Sequence, residues 1–290
     1  YDEEPAPQGR VIGAHRGWQT GLALAASILV AVVSLGYFER PEAPQAVAQL
    51  VYQSGEYRLQ EASSPLINGS GLVAGSMLST RAGAKLLLQL DSHTRLRMDE
   101  NTSATFQSSS EVWLHSGRVY IDSEDQQQSV QIITPLGTVR DIGTQFEVAL
   151  VSDALQVAVR EGQVTIKSDQ HSLNARAYKG QGELVTLDAR RVERKALAVS
   201  DKRWHWIHSA RAEFELSDSN LREFMLWASR EAGLSLRFAS KAAEMAAGNT
   251  RLYGDIGGLA PEQAIPAILQ TTGFIALPSE PHEIVIGFKR

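Results

Sequence analysis

No cysteine occurs among the 290 residues, which excludes disulfide scaffolds, cysteine-ligated zinc and thiol nucleophiles. A basic surplus is lacking too: 28 Lys and Arg stand against 33 Asp and Glu, a net charge of −5. A surface built to follow phosphates needs the opposite balance, so no direct nucleic-acid contact is expected. Catalytic signatures are equally scarce. The seven histidines, at 15, 93, 115, 171, 205, 208 and 282, are scattered, with no nucleophile elbow, HExxH or phosphate loop. No cofactor is implied and the chain does not read as an enzyme. What remains is a globular composition, 43% hydrophobic and 21% charged, at a length suited to two folded units. The first residue is Tyr1, not Met, so an N-terminal portion is expected to precede it.

One long uncharged run is present, Thr20–Phe38. At about 1.5 Å per residue its 19 residues reach roughly 28 Å as a helix, enough for the hydrocarbon core of a bilayer. Trp18 and Thr20 mark one edge and Tyr37 and Phe38 the other, where amphipathic rings prefer to lie. A buried core helix would show more of a polar face, and a signal peptide has a shorter apolar stretch. The run therefore predicts a single transmembrane helix with membrane lipid around it. Arg10 and Arg16 precede it and Arg40 follows, which places the N-terminus on the cytoplasmic side. Residues 1–19 form a cytoplasmic stub and 39–69 a stalk, with one strand at 48–52.

From residue 70 the pattern has period two. Short apolar alternations at 86–90, 95–98, 112–114, 118–122, 130–133 and 145–150 are bounded by turn residues. Leu155–Arg160 and Gln163–Lys167, joined by Glu161-Gly162, read as a tight hairpin. Strands at this spacing without helical periods predict an all-β domain over 70–200, a sandwich, a barrel or a solenoid.

Within it lie Gly137-Thr138, Asp141, Gly143-Thr144 and Phe146, followed by Glu161-Gly162. Their residue chemistry is architectural: glycines for positive φ or close backbone approach, threonines for strands, and Asp141 as a turn cap. The spacing Gly-Thr-x-x-x-x-Gly-Thr-x-Phe-x-Val closely resembles the FecR domain, a family of bacterial inner-membrane regulators of iron-uptake sigma factors. The resemblance covers roughly 70–170. It implies a single-pass signal-transduction protein of the anti-sigma factor type, N-terminus cytoplasmic and bulk periplasmic. The implied partners are the periplasmic signalling domain of an outer-membrane TonB-dependent receptor and, through a cytoplasmic region mostly absent here, an extracytoplasmic-function sigma factor. A membrane-anchored periplasmic scaffold or glycan-binding envelope protein fits the same residues.

Residues 201–290 predict a small α+β domain. Trp204-His205-Trp206-Ile207-His208 reads as an aromatic anchor between domains rather than a metal site, because His205 and His208 lack a third ligand. Asn220 with Glu223 forms a capping box for a helix that Gly233 ends. Strands are expected at Phe214–Leu216, Leu234–Phe238, Thr250–Tyr253, Phe274–Leu277 and Glu283–Phe288, in the order β-α-β-β-α-β-β. That order, with Gly257-Gly258-Leu259-x-Pro261 and Thr272-Gly273-Phe274, resembles the secretin and TonB short N-terminal domain. Phe214, Leu216, Leu234, Phe238, Ile284 and Ile286 mark candidate edge strands for a partner.

Overall fold

The computed structural model describes residues 45–60, 66–124, 129–141, 143–211 and 214–289. The uncharged run 20–38, with Trp18, Thr20, Tyr37 and Phe38, lies outside them. Among the described residues no helix is long and apolar enough to cross a membrane.

The compact unit starts at Ala46 and opens with strands alone. β1 (Ala46–Ser54), β2 (Tyr57–Leu59), β3 (Gly71–Val73), β4 (Ser76–Thr80), β5 (Lys85–Gln89) and β6 (Thr94–Met98) come first. β7 (Ser103–Ser108), β8 (Glu111–Ser123), β9 (Gln131–Thr134), β10 (Gly137–Asp141) and β11 (Gln145–Val151) follow. β12 (Ala154–Glu161), β13 (Gln163–Lys167), β14 (Ser172–Arg176), β15 (Gln181–Leu187) and β16 (Val192–Ala198) complete the set. They form two layers. The first runs β3-β1-β5-β6-β8-β11-β12-β15-β16, the second β2-β4-β7-β8-β9-β10-β13-β14. Strand β8 belongs to both: Glu111–Ser116 pairs with β7, and Gly117–Ser123 pairs with β11 and, in part, with β6. Gly117 sits at the crossing with φ 82°, where a Cβ would lie 2.5 Å from the Thr102 backbone.

From β9 onward the chain lays down hairpins alternately. β9–β10 and β13–β14 join the second layer, β11–β12 and β15–β16 the first. Each hairpin stacks on the one two before it, β13 on β10 and β15 on β12. The layers are those of a sandwich and the winding that of a solenoid. Leu50, Leu88, Phe106, Ile121, Ile132, Phe146, Val159 and Ile166 meet in one buried core fed by both layers. Burying a residue of this kind stabilises by roughly 1.5–3 kcal/mol, so the shared core holds the layers together.

Two expectations are corrected here. Leu155–Arg160 and Gln163–Lys167 are not a hairpin: β12 pairs with β11 and β15, β13 with β10 and β14. Both strands alternate because each buries one face in the same core, and Glu161-Gly162 is the corner between layers. Residues 46–59 are not stalk. β1 pairs with β3 and β5, and β2 with β4, so Leu50 enters the core instead of crossing solvent.

After β16 come a 3-10 turn (Lys202–Trp204), α1 (His205–His208), α2 (Leu221–Ala232), β17 (Ser235–Phe238), α3 (Lys241–Asn249), α4 (Pro261–Gln270), β18 (Phe274–Leu277) and β19 (Glu283–Phe288). Helix α2 carries the Asn220–Glu223 capping box and ends on Gly233 at φ 70°, the left-handed conformation glycine adopts most readily. The order of elements differs from the expected one. Phe214–Leu216 is not a strand: the Phe214 ring packs 4.9 Å from Trp227 and 5.7 Å from Phe224, and Leu216 is buried in the same cluster. Thr250–Tyr253 shrinks to a single bridge, Asn220 with Arg251. An unforeseen helix, α3, precedes it, where alanines that favour helix follow the Ser240 cap. β19 is the centre of a three-stranded sheet ordered β17-β19-β18. Ile284 and Ile286 are therefore interior, Leu234 precedes the strand, and of the six named residues only Phe238 lies on an edge strand.

Candidate functional site

Alternation in the first layer turns Leu96, Ile121, Phe146 and Val159 inward, so their neighbours Arg97, Asp122, Glu147 and Arg160 point out. On a free sandwich these charges would face water. All four are at most 2% exposed, because the 202–208 segment and the last turn of α2 cover this face.

The first contact is apolar with a charged rim. Trp204 and Ile207 pack on Tyr120, Ala158 and Leu197, with the Trp204 and Tyr120 rings edge to face at 6.1 Å. Beside them Glu147 accepts from Arg203 Nε and Trp206 Nε1, each at 2.8 Å. Burial pushes the Glu147 carboxyl above the ordinary carboxylate range, against the pull of Arg203 and Arg118. The Trp-His-Trp-Ile-His stretch thus anchors on the sheet. His208 sits next to the Glu231 carbonyl oxygen at 3.2 Å, and burial lowers its pKa. Among the described residues no three His, Asp or Glu are grouped to hold a metal ion.

The second contact is ionic. Arg97 Nη2 lies 2.5 Å from Glu231 Oε1, and Arg230 Nε donates to Asp122 Oδ1 at 2.8 Å. Arg160 Nε donates to the Val199 carbonyl at 2.8 Å and its Nη1 to the Glu231 carbonyl at 2.9 Å. Gln145 Nε2 donates to the Arg230 carbonyl at 3.3 Å. Burial opposes the charge on Asp122, but Arg230, then Arg95 and Arg97, outweigh it and hold the carboxyl below its ordinary value. Burial likewise opposes the charge on Arg97, and Glu231 and Asp122 outweigh it. At the C-terminal end of α2, where the helix dipole is negative, the Arg160 guanidinium meets the Glu231 carbonyl, and Gln145 shares the Arg230 carbonyl with the Gly233 N–H. The arrangement is a clamp between sheet and helix, and it holds no pair of groups poised for bond chemistry.

The motif residues lie on β10, on β11, at the end of β12 and in the turns beside them. Gly137 opens β10 at φ 149°, where a Cβ would meet the Lys167 carbonyl at 2.6 Å. Thr138 lies on β10 between Ile133 and Lys167. Gly143 has φ 61°, and Phe146 is in the core. Asp141 does more than cap a turn. It is fully buried, accepts from Val130 N as well as from Thr144 Oγ1, and burial raises its pKa. Gly162, at φ 78°, lies against Thr144 and the Gly143 carbonyl. Glu161 is exposed, 3.6 Å from Arg230.

Residues 76–165, from β4 to the middle of β13, match the family described as FecR protein. This segment is a FecR domain. Arg97, Asp122, Gln145, Glu147 and Arg160 all fall inside it, so the clamp joins the FecR domain to the helix that follows. No curated protein matches the sequence. Among solved structures, the chain is matched to two crystal structures of a "putative anti-sigma factor" from Parabacteroides distasonis ATCC 8503, at 1.65 and 2.50 Å resolution. Each shares 15% identity at a TM-score of 0.38, over 74% of this chain and 99% of that one.

The clamp residues were outside the sequence reading. One sign was available: Glu231 falls on the apolar stripe of α2, seven residues after Phe224 and three after Ala228, where a solvated carboxylate has no place.

Proposed function

We propose that this chain is the envelope part of an anti-sigma-type regulator, a single-pass inner-membrane protein with its N-terminus cytoplasmic and its bulk periplasmic. It takes a signal from the periplasmic signalling domain of an outer-membrane TonB-dependent receptor and passes it to an extracytoplasmic-function sigma factor. The observation that carries this reading is the FecR domain at residues 76–165. The uncharged run Thr20–Phe38, long enough for a bilayer, supports the membrane placement. The clamp supports the relay: a displacement of α2 acts directly on strands β6, β8 and β12 through Arg97, Asp122 and Arg160. Deleting the gene and sequencing the transcriptome tests the proposal. One coherent set of transcripts sharing a promoter pattern should change, and an unchanged transcriptome with and without iron limitation would overturn it.

A further inference from the structure

Two open cavities lie end to end beside α2 and β17. One, about 400 Å³, is lined by Gln145, Tyr178, Ser229, Arg230 and Leu236 among others; the other, about 510 Å³, by Arg222, Phe238 and Lys241. Leu226 and Leu236 line both, so the two make one channel. Its wall is the outer edge of β17, which pairs with no strand but β19 among the described residues. Ser235 N donates to His282 O and Ala239 N to Ile286 O, each at 2.9 Å. With period two, the N–H and C=O of Leu236 and Phe238 therefore face away from β19 and into the channel.

The channel also holds unsatisfied polar atoms. Gln145 and Ser229 are 1% and 2% exposed, yet Gln145 Oε1 and Ser229 Oγ have no hydrogen-bond partner among the described residues. Gln145 Nε2 is engaged with the Arg230 carbonyl, so the free atom is an acceptor and calls for a donor from outside. Leu226, 45% exposed, supplies an apolar wall. Charge is uneven along the length. Glu244 is paired with Arg222, and Glu161 stands 3.6 Å from Arg230. Lys179, on the first cavity, and Lys241, on the second, form no ion pair among the described residues.

We propose that this channel takes an extended segment of a partner polypeptide as a fourth strand beside β17, the segment being flanked by acidic residues and carrying Asn or Gln, one of which reaches the inner cavity. Main-chain bonds to Leu236 and Phe238 provide affinity. The amide side chain enters the inner cavity, its NH2 donating to Gln145 Oε1 and its oxygen accepting from the Ser229 hydroxyl. Apolar residues alternate against Leu226 and Leu236, and the acidic flanks meet Lys179 and Lys241. This deepens the regulator reading by naming the chemistry of the partner contact, and rests on it only for the partner's being a protein of the envelope.

The test uses the whole chain in detergent and a fluorescein-labelled peptide, Asp-Val-Gln-Val-Gln-Val-Asp, capped at both ends. Saturable anisotropy is expected below about 1 mM, the range of a short strand contact, with slower hydrogen exchange across residues 235–239. The same peptide N-methylated at alternate backbone nitrogens keeps its side chains and should bind at least about tenfold more weakly. Leu226→Glu, at an exposed position, should give a similar loss, and Val in place of both Gln a smaller one. Absence of saturable binding, equal binding of the N-methylated peptide, or slowed exchange confined to other segments would each overturn the proposal. None of these readouts depends on the transcriptome of the deletion strain, so the groove and the regulator fail separately.

Discussion

Replacing Glu231 by Ala removes a carboxylate 3% exposed from a guanidinium 2% exposed, across 2.5 Å. Only the side chain is lost, since the Glu231 carbonyl still accepts from Arg160. Breaking one side of a buried pair costs about 3–5 kcal/mol, because the remaining charge is stranded. Arg97 keeps partial compensation from the Asp122 charge and from the Tyr120 ring at 5.6 Å, while its Nε already lacks a partner among the described residues. We therefore expect about 3 kcal/mol, the lower end of that range. At about 2–4 °C per kcal/mol for a unit of this size, Tm falls by roughly 6–12 °C. Urea unfolding followed by the fluorescence of Trp204 and Trp206, which sit at the joint, reads the loss directly. The paired change Arg97→Met with Glu231→Leu should recover most of it, as apolar replacements of buried pairs do. A loss below about 1 kcal/mol for Glu231→Ala, or a double variant as damaged as the sum of the singles, would show that the pair does not hold the helix.

Gly162→Ala should cost about 2–4 kcal/mol, combining a left-handed backbone with a Cβ 2.7 Å from the Gly143 carbonyl, and differential scanning calorimetry would detect it. For Glu147 the raised pKa means that the folded state binds the proton first as pH falls toward the ordinary glutamate value of 4.5, so the carboxyl's contribution to stability grows with acidification and is lost as pH rises through the folded pKa. The stability of the wild type minus that of Glu147→Gln should accordingly increase from pH 7 down to about 4.5, and a flat difference in pH-dependent urea melts would refute the assignment. Trp204→Ala should cost about 3–5 kcal/mol and expose the face around Tyr120, measurable as increased dye binding. A periplasm-only reporter fused after Arg290 should be active if the run Thr20–Phe38 spans the bilayer once with its N-terminus inside, and silence there with an active cytoplasmic reporter would reverse the topology.

How much of this was legible depended on the range of the interaction. Period-two alternation identified the strands of the FecR domain, because Leu96, Ile121, Phe146 and Val159 each record the same buried core. It could not say which strands pair. Val157 and Val164 carry equivalent patterns whether β12 and β13 are neighbours or lie in opposite layers, and only the stacking of β13 on β10 separates the two. Local chemistry was read well where it was self-contained, as in the Asn220–Glu223 box and the Gly233 cap. The short segment at Phe214 misled because an aromatic flanked by charges looks like a strand until Trp227, thirteen residues on, takes its ring. The clamp was invisible for a simpler reason. Arg97, Asp122 and Arg160 occupy outward positions, where charge is ordinary, and nothing local tells that a helix from residues 221–232 will cover them.

The shared strand β8 and the position of the clamp together fix a mechanical path. A pull between Ala46, at the start of β1, and the end of α2 runs through β1, β5 and β6 by their backbone ladders, then crosses from Arg97 to Glu231. The second layer is off this line, attached through its share of β8 and the packed core. Tension across the molecule therefore falls first on the side-chain links of the clamp, Arg97 with Glu231, Arg230 with Asp122 and Arg160 with the Glu231 carbonyl, and not on the sixteen-stranded body. The element in series with the backbone ladders is a set of side-chain contacts, which can part without breaking any strand pairing of the FecR domain.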